Sequence, residues 1–145
     1  MRRLLATLRA RLVRRDEGGT ATVFVVGFAV VLLACAGLVI DGGSAINARM
    51  KLADDVEQAA RAGAQQIDID TLRGSNVVTL DGLAAEARAR QYLNALGYTR
   101  VTVPPVTGDT ITVHAEDTTT TKLLSLIGVH DFDIAATATA QAVTQ

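Results

Sequence analysis

Residues 20–40 read TATVFVVGFAVVLLACAGLVI, twenty-one positions without a charge and with two hydroxyl side chains, both near the start. A helix rises about 1.5 Å per residue, so this run spans roughly 30 Å, the thickness of a bilayer's hydrocarbon core. Its backbone polar groups satisfy one another internally, as a membrane requires. The run therefore predicts a transmembrane helix at 20–40. It divides the chain into a basic leader at 1–19, a helical stalk at 41–66 and an exported α+β domain at 67–145.

The charges on either side set an orientation. Arg2, Arg3, Arg9, Arg11, Arg14 and Arg15 against Asp16 and Glu17 give the leader a charge of +4, so the remainder of a chain of net charge −1 carries −5. Basic residues beside a first span stay in the cytoplasm. The expectation is a single-pass membrane protein, N-terminus inside and C-terminal domain outside. Leu4, Leu5, Leu8 and Leu12 fall on one side of the leader, which reads as a basic amphipathic helix drawn to anionic lipid. Without interleaved aromatic residues it does not read as a nucleic-acid site.

A cleaved signal is the competing interpretation. Ala34-Cys35-Ala36 has the small residues of a cleavage site, and Leu32-Leu33-Ala34-Cys35 loosely resembles a lipoprotein box. The run is longer than a signal's apolar segment of about 7–15 residues, and hydrophobicity continues past Cys35 to Ile40. Span length favours the retained anchor, with a lipoprotein or secreted surface-binding module as the alternative. The one cysteine lies within the apolar run, so no internal disulfide staples the exported part. With no Trp and only one Phe beyond the run, that domain has an Ala/Val/Leu/Ile core and needs a long helix or a partner to pack on.

Asp41 ends the apolar run, and Gly42-Gly43 would allow a bend. Helical periodicity resumes at once: Ile46, Met50, Ala53, Val56, Ala60, Gly63 and Ile67 form a narrow stripe of mostly small residues, with Asp54, Asp55, Glu57 and Arg61 off it. One long helix from about 20 to 66 is predicted. Its stripe seats the helix's own domain and offers close packing to a second subunit. Residues 67–80 lose the period and read as a loop or short extended segment, where Asp68 and Asp70 lack the spacing of a calcium loop. A second helix runs from an Asp81 N-cap to Gly97, with Ala85, Ala89, Tyr92, Leu93 and Leu96 on one face and a Glu86–Arg90 pair one turn apart.

The period then falls to two. Residues 99–103 and 110–116 alternate around Pro104-Pro105 and a turn at 107–109, predicting an antiparallel hairpin. Val101, Val103, Ile111, Val113 and Ala115 face the core, and Thr102, Thr112, His114 and Glu116 face out. Residues 122–128 read as a short helix capped by a threonine and closed by Gly128. A last strand at 131–140 buries Phe132, Ile134, Ala136, Ala138 and Ala140. The fold class is thus α+β: a long N-terminal transmembrane helix continuing as a stalk, a second helix and a small three-stranded antiparallel sheet.

Catalytic chemistry is not indicated. His130, Asp131, Asp133 and His114 match no metal motif, Ser44, Ser75 and Ser125 have no neighbouring base, and Gly42-Gly43 lacks the phosphate-loop pattern. No enzyme, metal or cofactor is expected.

Gly18-Gly19 before the span, Asp41-Gly42-Gly43 after it and the helix KLADDVEQAARAGAQQ at 51–66 resemble the TadE/TadG-like proteins of tight-adherence (Flp-type) pilus assembly. The resemblance covers about residues 14–66 and implies a pilin-like minor component or pseudopilin, inserted in the cytoplasmic membrane of a bacterium with its C-terminal domain outside. Its implied partners are membrane lipids, other pilus or secretion assembly proteins and further copies of itself. It also implies a processing site between Gly19 and Thr20. Processed members of pilin-like families carry Glu at the fifth mature position, whereas cleavage after Gly19 would put Phe24 there. The missing carboxylate favours an uncleaved anchor that assists assembly or caps a short pseudopilus.

Overall fold

The structure is a computed structural model that describes the backbone of residues 2–143 and the side chains of residues 19–143. The leucine face and arginines expected on the leader therefore lie outside the described side chains. Helix α1 runs from Arg2–Ala64 without interruption. The bend that Gly42-Gly43 would permit is not taken. Both glycines face open space, the Ser44 hydroxyl donates to the Ile40 carbonyl at 3.1 Å, and neighbouring elements grip the helix on both sides of the pair.

Residues 67–80 are not a plain loop. Helix α2, Ile69–Ser75, starts at Asp68, whose carboxylate accepts the N–H groups of Asp70 and Thr71, and ends at Asn76 in the left-handed region with φ 56°. Seven residues are too few to display a period, so the caps alone make this helix. Helix α3, Gly82–Ala95, has the expected Asp81 cap, accepting from Ala84 N–H at 3.0 Å. Beyond its end, Tyr98 N–H donates to Leu93 O and Gly97 N–H to Asn94 O, with Gly97 at φ 96°. This is a Schellman closure, which a residue with a Cβ resists.

The sheet has the order β1-β2-β3 and is antiparallel throughout, with β1 at Arg100–Thr102, β2 at Thr110–Thr120 and β3 at Asp131–Gln141. Strand β2 pairs with β1 through Val101 opposite Ala115, and with β3 over its whole length from Thr110 opposite Gln141 to Thr120 opposite Asp131. Thr118, Thr119 and Thr120 thus extend the strand, and Thr121 stands between it and the short helix that follows. Fully paired threonines suit a pleated surface.

One face of the sheet packs on α1 and α3. The core joins Leu52, Val56, Ala59 and Ala60 of α1, Ala85, Ala89 and Leu93 of α3, and Ile111, Val113 and Ala115 of β2, all fully buried. Gly63 lets the layers meet: a Cβ there would stand 2.7 Å from Ile111 Cδ1 and 3.0 Å from the Ala85 carbonyl oxygen. The architecture is α+β, an apolar N-terminal helix whose far end forms one wall of a small antiparallel domain.

Candidate functional site

Two surfaces of α1 stand out. From Val23 to Ile40 its large apolar side chains point outward; Phe24 is 74% exposed, and its ring stacks on Phe28 with centroids 6.4 Å apart. The helix is long and apolar enough to cross a membrane. Cys35 is exposed on the same surface. Gly19 and Thr20, the expected processing site, lie inside the continuous helix and are both exposed.

The second surface begins at Asp41, which is 2% exposed although it follows directly on the apolar run. The β2–β3 hairpin folds back along α1, so its connecting turn, a 3-10 helix at Leu124–Ile127, reaches the helix at this point. The Asp41 carboxylate accepts three backbone N–H groups, from Lys122 at 3.0 Å, Leu123 at 2.8 Å and Leu124 at 2.7 Å. The Leu124 N–H does most to hold this carboxyl below the ordinary Asp range, while burial pushes it up and Lys122 adds its positive charge.

Asp41 thus takes the role expected of a threonine. The hydroxyl of Thr121 instead donates to the carbonyls of Val129 and His130, tying the two ends of the turn together. A cap reaching across eighty-three residues leaves no local signature in the sequence. The only available hint was an aspartate placed directly after an apolar run. The closing residue was as expected, Gly128 at φ 92°. Gly37, one turn below Asp41, makes room for the turn, since a Cβ there would lie 3.2 Å from Leu123 Cβ. Below that, Leu126 and Ile127 share an apolar groove with Val30, Leu33 and Ala34 of the helix.

The predicted packing stripe divides. Val56, Ala60 and Gly63 are buried in the domain and Ile67 is half-buried, bridging to Leu80, whereas Ile46 is 63% and Met50 61% exposed and Ala53 is also exposed. Ala48 and Leu52 are the residues that continue the buried line toward Asp41. At 3.6 residues per turn, Ile46 and Met50 sit more than about a quarter-turn round from that line. The domain therefore leaves them uncovered.

The remaining polar groups serve the fold. The Tyr98 hydroxyl donates to Asp55 at 2.8 Å; burial first, then that carboxylate, raises the phenol's pKa to about 12. The Thr71 N–H and hydroxyl are the main groups holding the Asp68 carboxyl low, and Gln141 and Thr110 do the same for Asp109. Arg90 pairs with Glu86 at 2.8 Å and also donates to the Val101 carbonyl at 2.7 Å, fastening α3 to β1. On the outward sheet face His114 lies 2.8 Å from the Thr137 hydroxyl and 3.3 Å from Glu116, while His130 and Asp131 are exposed at the foot of β3. Among the described residues no three His, Cys, Asp or Glu side chains gather as a metal site would need.

Comparison with curated proteins gives no match, and neither does comparison with solved structures. The match to a known family covers the apolar helix and the wall that α1 gives the domain: residues 18–66 match the family model described as "Putative Flp pilus-assembly TadE/G-like".

Proposed function

We propose that this chain is a membrane-anchored, pilin-like structural component of a tight-adherence (Flp-type) pilus or a related secretion assembly, acting by protein–protein packing. The observation that carries this reading is that one unbroken helix is an exposed apolar rod at 20–40 and a wall of the domain core from Leu52 onward. A rod of that kind needs lipid or other rods around it. The matched family is one of pilus assembly and not an enzyme family. The leader at 1–19 lies on the cytoplasmic side, 20–40 crosses once, and the stalk at 41–66 carries the domain at 67–145 outside. Phe24 in place of a carboxylate favours an anchor that keeps its leader instead of being cut between Gly19 and Thr20.

Ile46 and Met50, exposed just beyond the span, are the packing surface offered to another copy or to an assembly partner. Deleting the chain is expected to abolish pilus formation, and the native chain is expected to restore it, with full-length intact mass in membranes. A double Ile46→Asp, Met50→Asp chain should insert and fold normally, because both side chains lie outside the core, yet fail to restore pili. Full restoration would remove this surface from the mechanism. Unchanged piliation on deletion would remove the pilus role.

A further inference from the structure

The turn between β2 and β3 descends along α1 past the point where the apolar run ends. Leu123 and Leu124 rest at Gly37, three residues inside that run, and Leu126 and Ile127 share a groove with Val30 and Leu33. At 1.5 Å per residue, Leu33 lies about 10 Å and Val30 about 15 Å below Ile40. If the turn stood in water, only residues 20–29 would remain for the hydrocarbon, about 15 Å or half its thickness. The residues before them cannot extend the span, since Arg14, Arg15, Asp16 and Glu17 are charged. A helix that crosses must carry this turn into the bilayer with it.

We propose that the turn at 123–129 is a wedge embedded in the outer leaflet, its side chains in contact with lipid acyl chains. This inference rests on the proposal that α1 crosses a membrane. The sequence LLSLIGV at 123–129 is uncharged, Leu126 is 83% and Ile127 58% exposed, and Lys122 and His130 bracket the turn at its base. The backbone is also prepared for such a place. Non-helical backbone is tolerated at membrane depth only where its polar groups have partners. Asp41 accepts the N–H groups of Lys122, Leu123 and Leu124, while those of Leu126, Gly128 and Val129 go to the carbonyls of Leu123, Ser125 and Leu124. The Ser125 hydroxyl donates to Lys122 O and that of Thr121 to the carbonyls of Val129 and His130. The Lys122 ammonium can reach the phosphates from the wedge's rim. The groove then belongs to one continuous apolar surface made by helix and turn together.

The chain has no Trp, so a single introduced Trp reports its own surroundings without background. The full-length chain would be diluted into phosphatidylcholine–phosphatidylglycerol vesicles with and without acyl-brominated lipid. The variants are Phe28→Trp in the span, Leu126→Trp and Ile127→Trp on the turn, and Leu83→Trp, which is 84% exposed near the far end of α1, where Asp81 N–H donates to Gln66 O. The turn variants replace exposed side chains, so neither disturbs the core. Expected are blue-shifted emission and loss of most of its intensity to brominated lipid at Phe28→Trp and both turn positions, and neither at Leu83→Trp. Quenching at Phe28→Trp with water-like emission from the turn would overturn the wedge and leave the anchor standing. Blue-shifted turn emission that brominated lipid does not quench would assign the turn to a second copy or another protein and also overturn it. Absence of quenching at Phe28→Trp would overturn the anchor, and the wedge with it.

Discussion

Asp41 shows how one side chain can decide where a domain sits. Its two oxygens serve three N–H groups of a turn that otherwise has no cap, because the residue in the N-cap position, Leu123, has no acceptor side chain. Replacing Asp41 with Ala should release the turn from α1. The amides of residues 122–124 would lose hydrogen-exchange protection, whereas those of β2 opposite β3 keep theirs. Protection that survived the substitution would mean that apolar contact alone holds the turn. The carboxyl's depressed pKa fixes the sign of the pH effect. Its contribution is fully present above the unfolded value of about 3.9 and is lost as pH falls through the lower folded value. Asp68 and Asp109 act in the same sense, so stability should be level above about pH 4 and fall below it. Tyr98 works at the opposite end. Its phenol, raised to about 12, stabilises fully below the unfolded value of about 10 and loses that contribution as pH climbs toward 12. In a Tyr92→Phe chain, where Tyr98 is the remaining phenol, the ultraviolet titration should have its midpoint near about 12 when folded and near about 10 in denaturant. Equal midpoints would show that Asp55 and burial do not act on it.

Elements with a sustained period were visible in the sequence, and those made by a few end contacts were not. The two-residue alternation placed Ile111, Val113 and Ala115 in the core, and the 3.6-residue period did the same for Ala85, Ala89 and Leu93. Helix α2 was missed because its signal is the Asp68 cap and the left-handed Asn76. The phase of α1 was harder to read because small or apolar residues occupy more than one of its faces, Ile46, Met50 and Ala53 on one and Ala45, Ala48, Leu52 and Ala59 on another. Steps of three and four could therefore be drawn through Ile46 and Met50 as readily as through Ala48 and Leu52. The two lines share Val56, Ala60 and Gly63, where Gly63 lets α3 and β2 close on the helix, and packing chose Ala48 and Leu52 to continue them. This gives opposite expectations for two glycines of the same helix. Gly43→Ala meets nothing within 4 Å and should stabilise the domain by up to about 1 kcal/mol through helix propensity. Gly63→Val must displace Ile111 and press on the Ala85 carbonyl, at a cost of about 1–3 kcal/mol or more. Chemical denaturation of the two variants separates these cases. A destabilising Gly43→Ala would mean that the helix bends there in solution.

For the molecule as a whole, the apolar helix and the domain are one body, and this follows from composition. A core drawn from Ala, Val, Leu and Ile, with no disulfide and few aromatic residues, buries little area per residue, and the sheet's inner face has only helices to cover it. Much of that cover comes from α1, through Leu52, Val56, Ala59 and Ala60, so dividing the chain at 66 into stalk and domain cuts through the core itself. A fragment of residues 67–145 should therefore lack a cooperative melt and disperse its amide resonances poorly. A fragment of residues 45–145 retains the whole wall and should fold, with only the turn at 122–124 loosened for want of Asp41. Cooperative folding of 67–145 would show instead that α3 and the sheet suffice, and that the stalk is a tether. The same packing explains why the helix is unbroken at Gly42-Gly43. Its upper end is held by the core and its middle by the turn at Gly37 and Asp41, so any displacement of the domain must move the apolar rod with it.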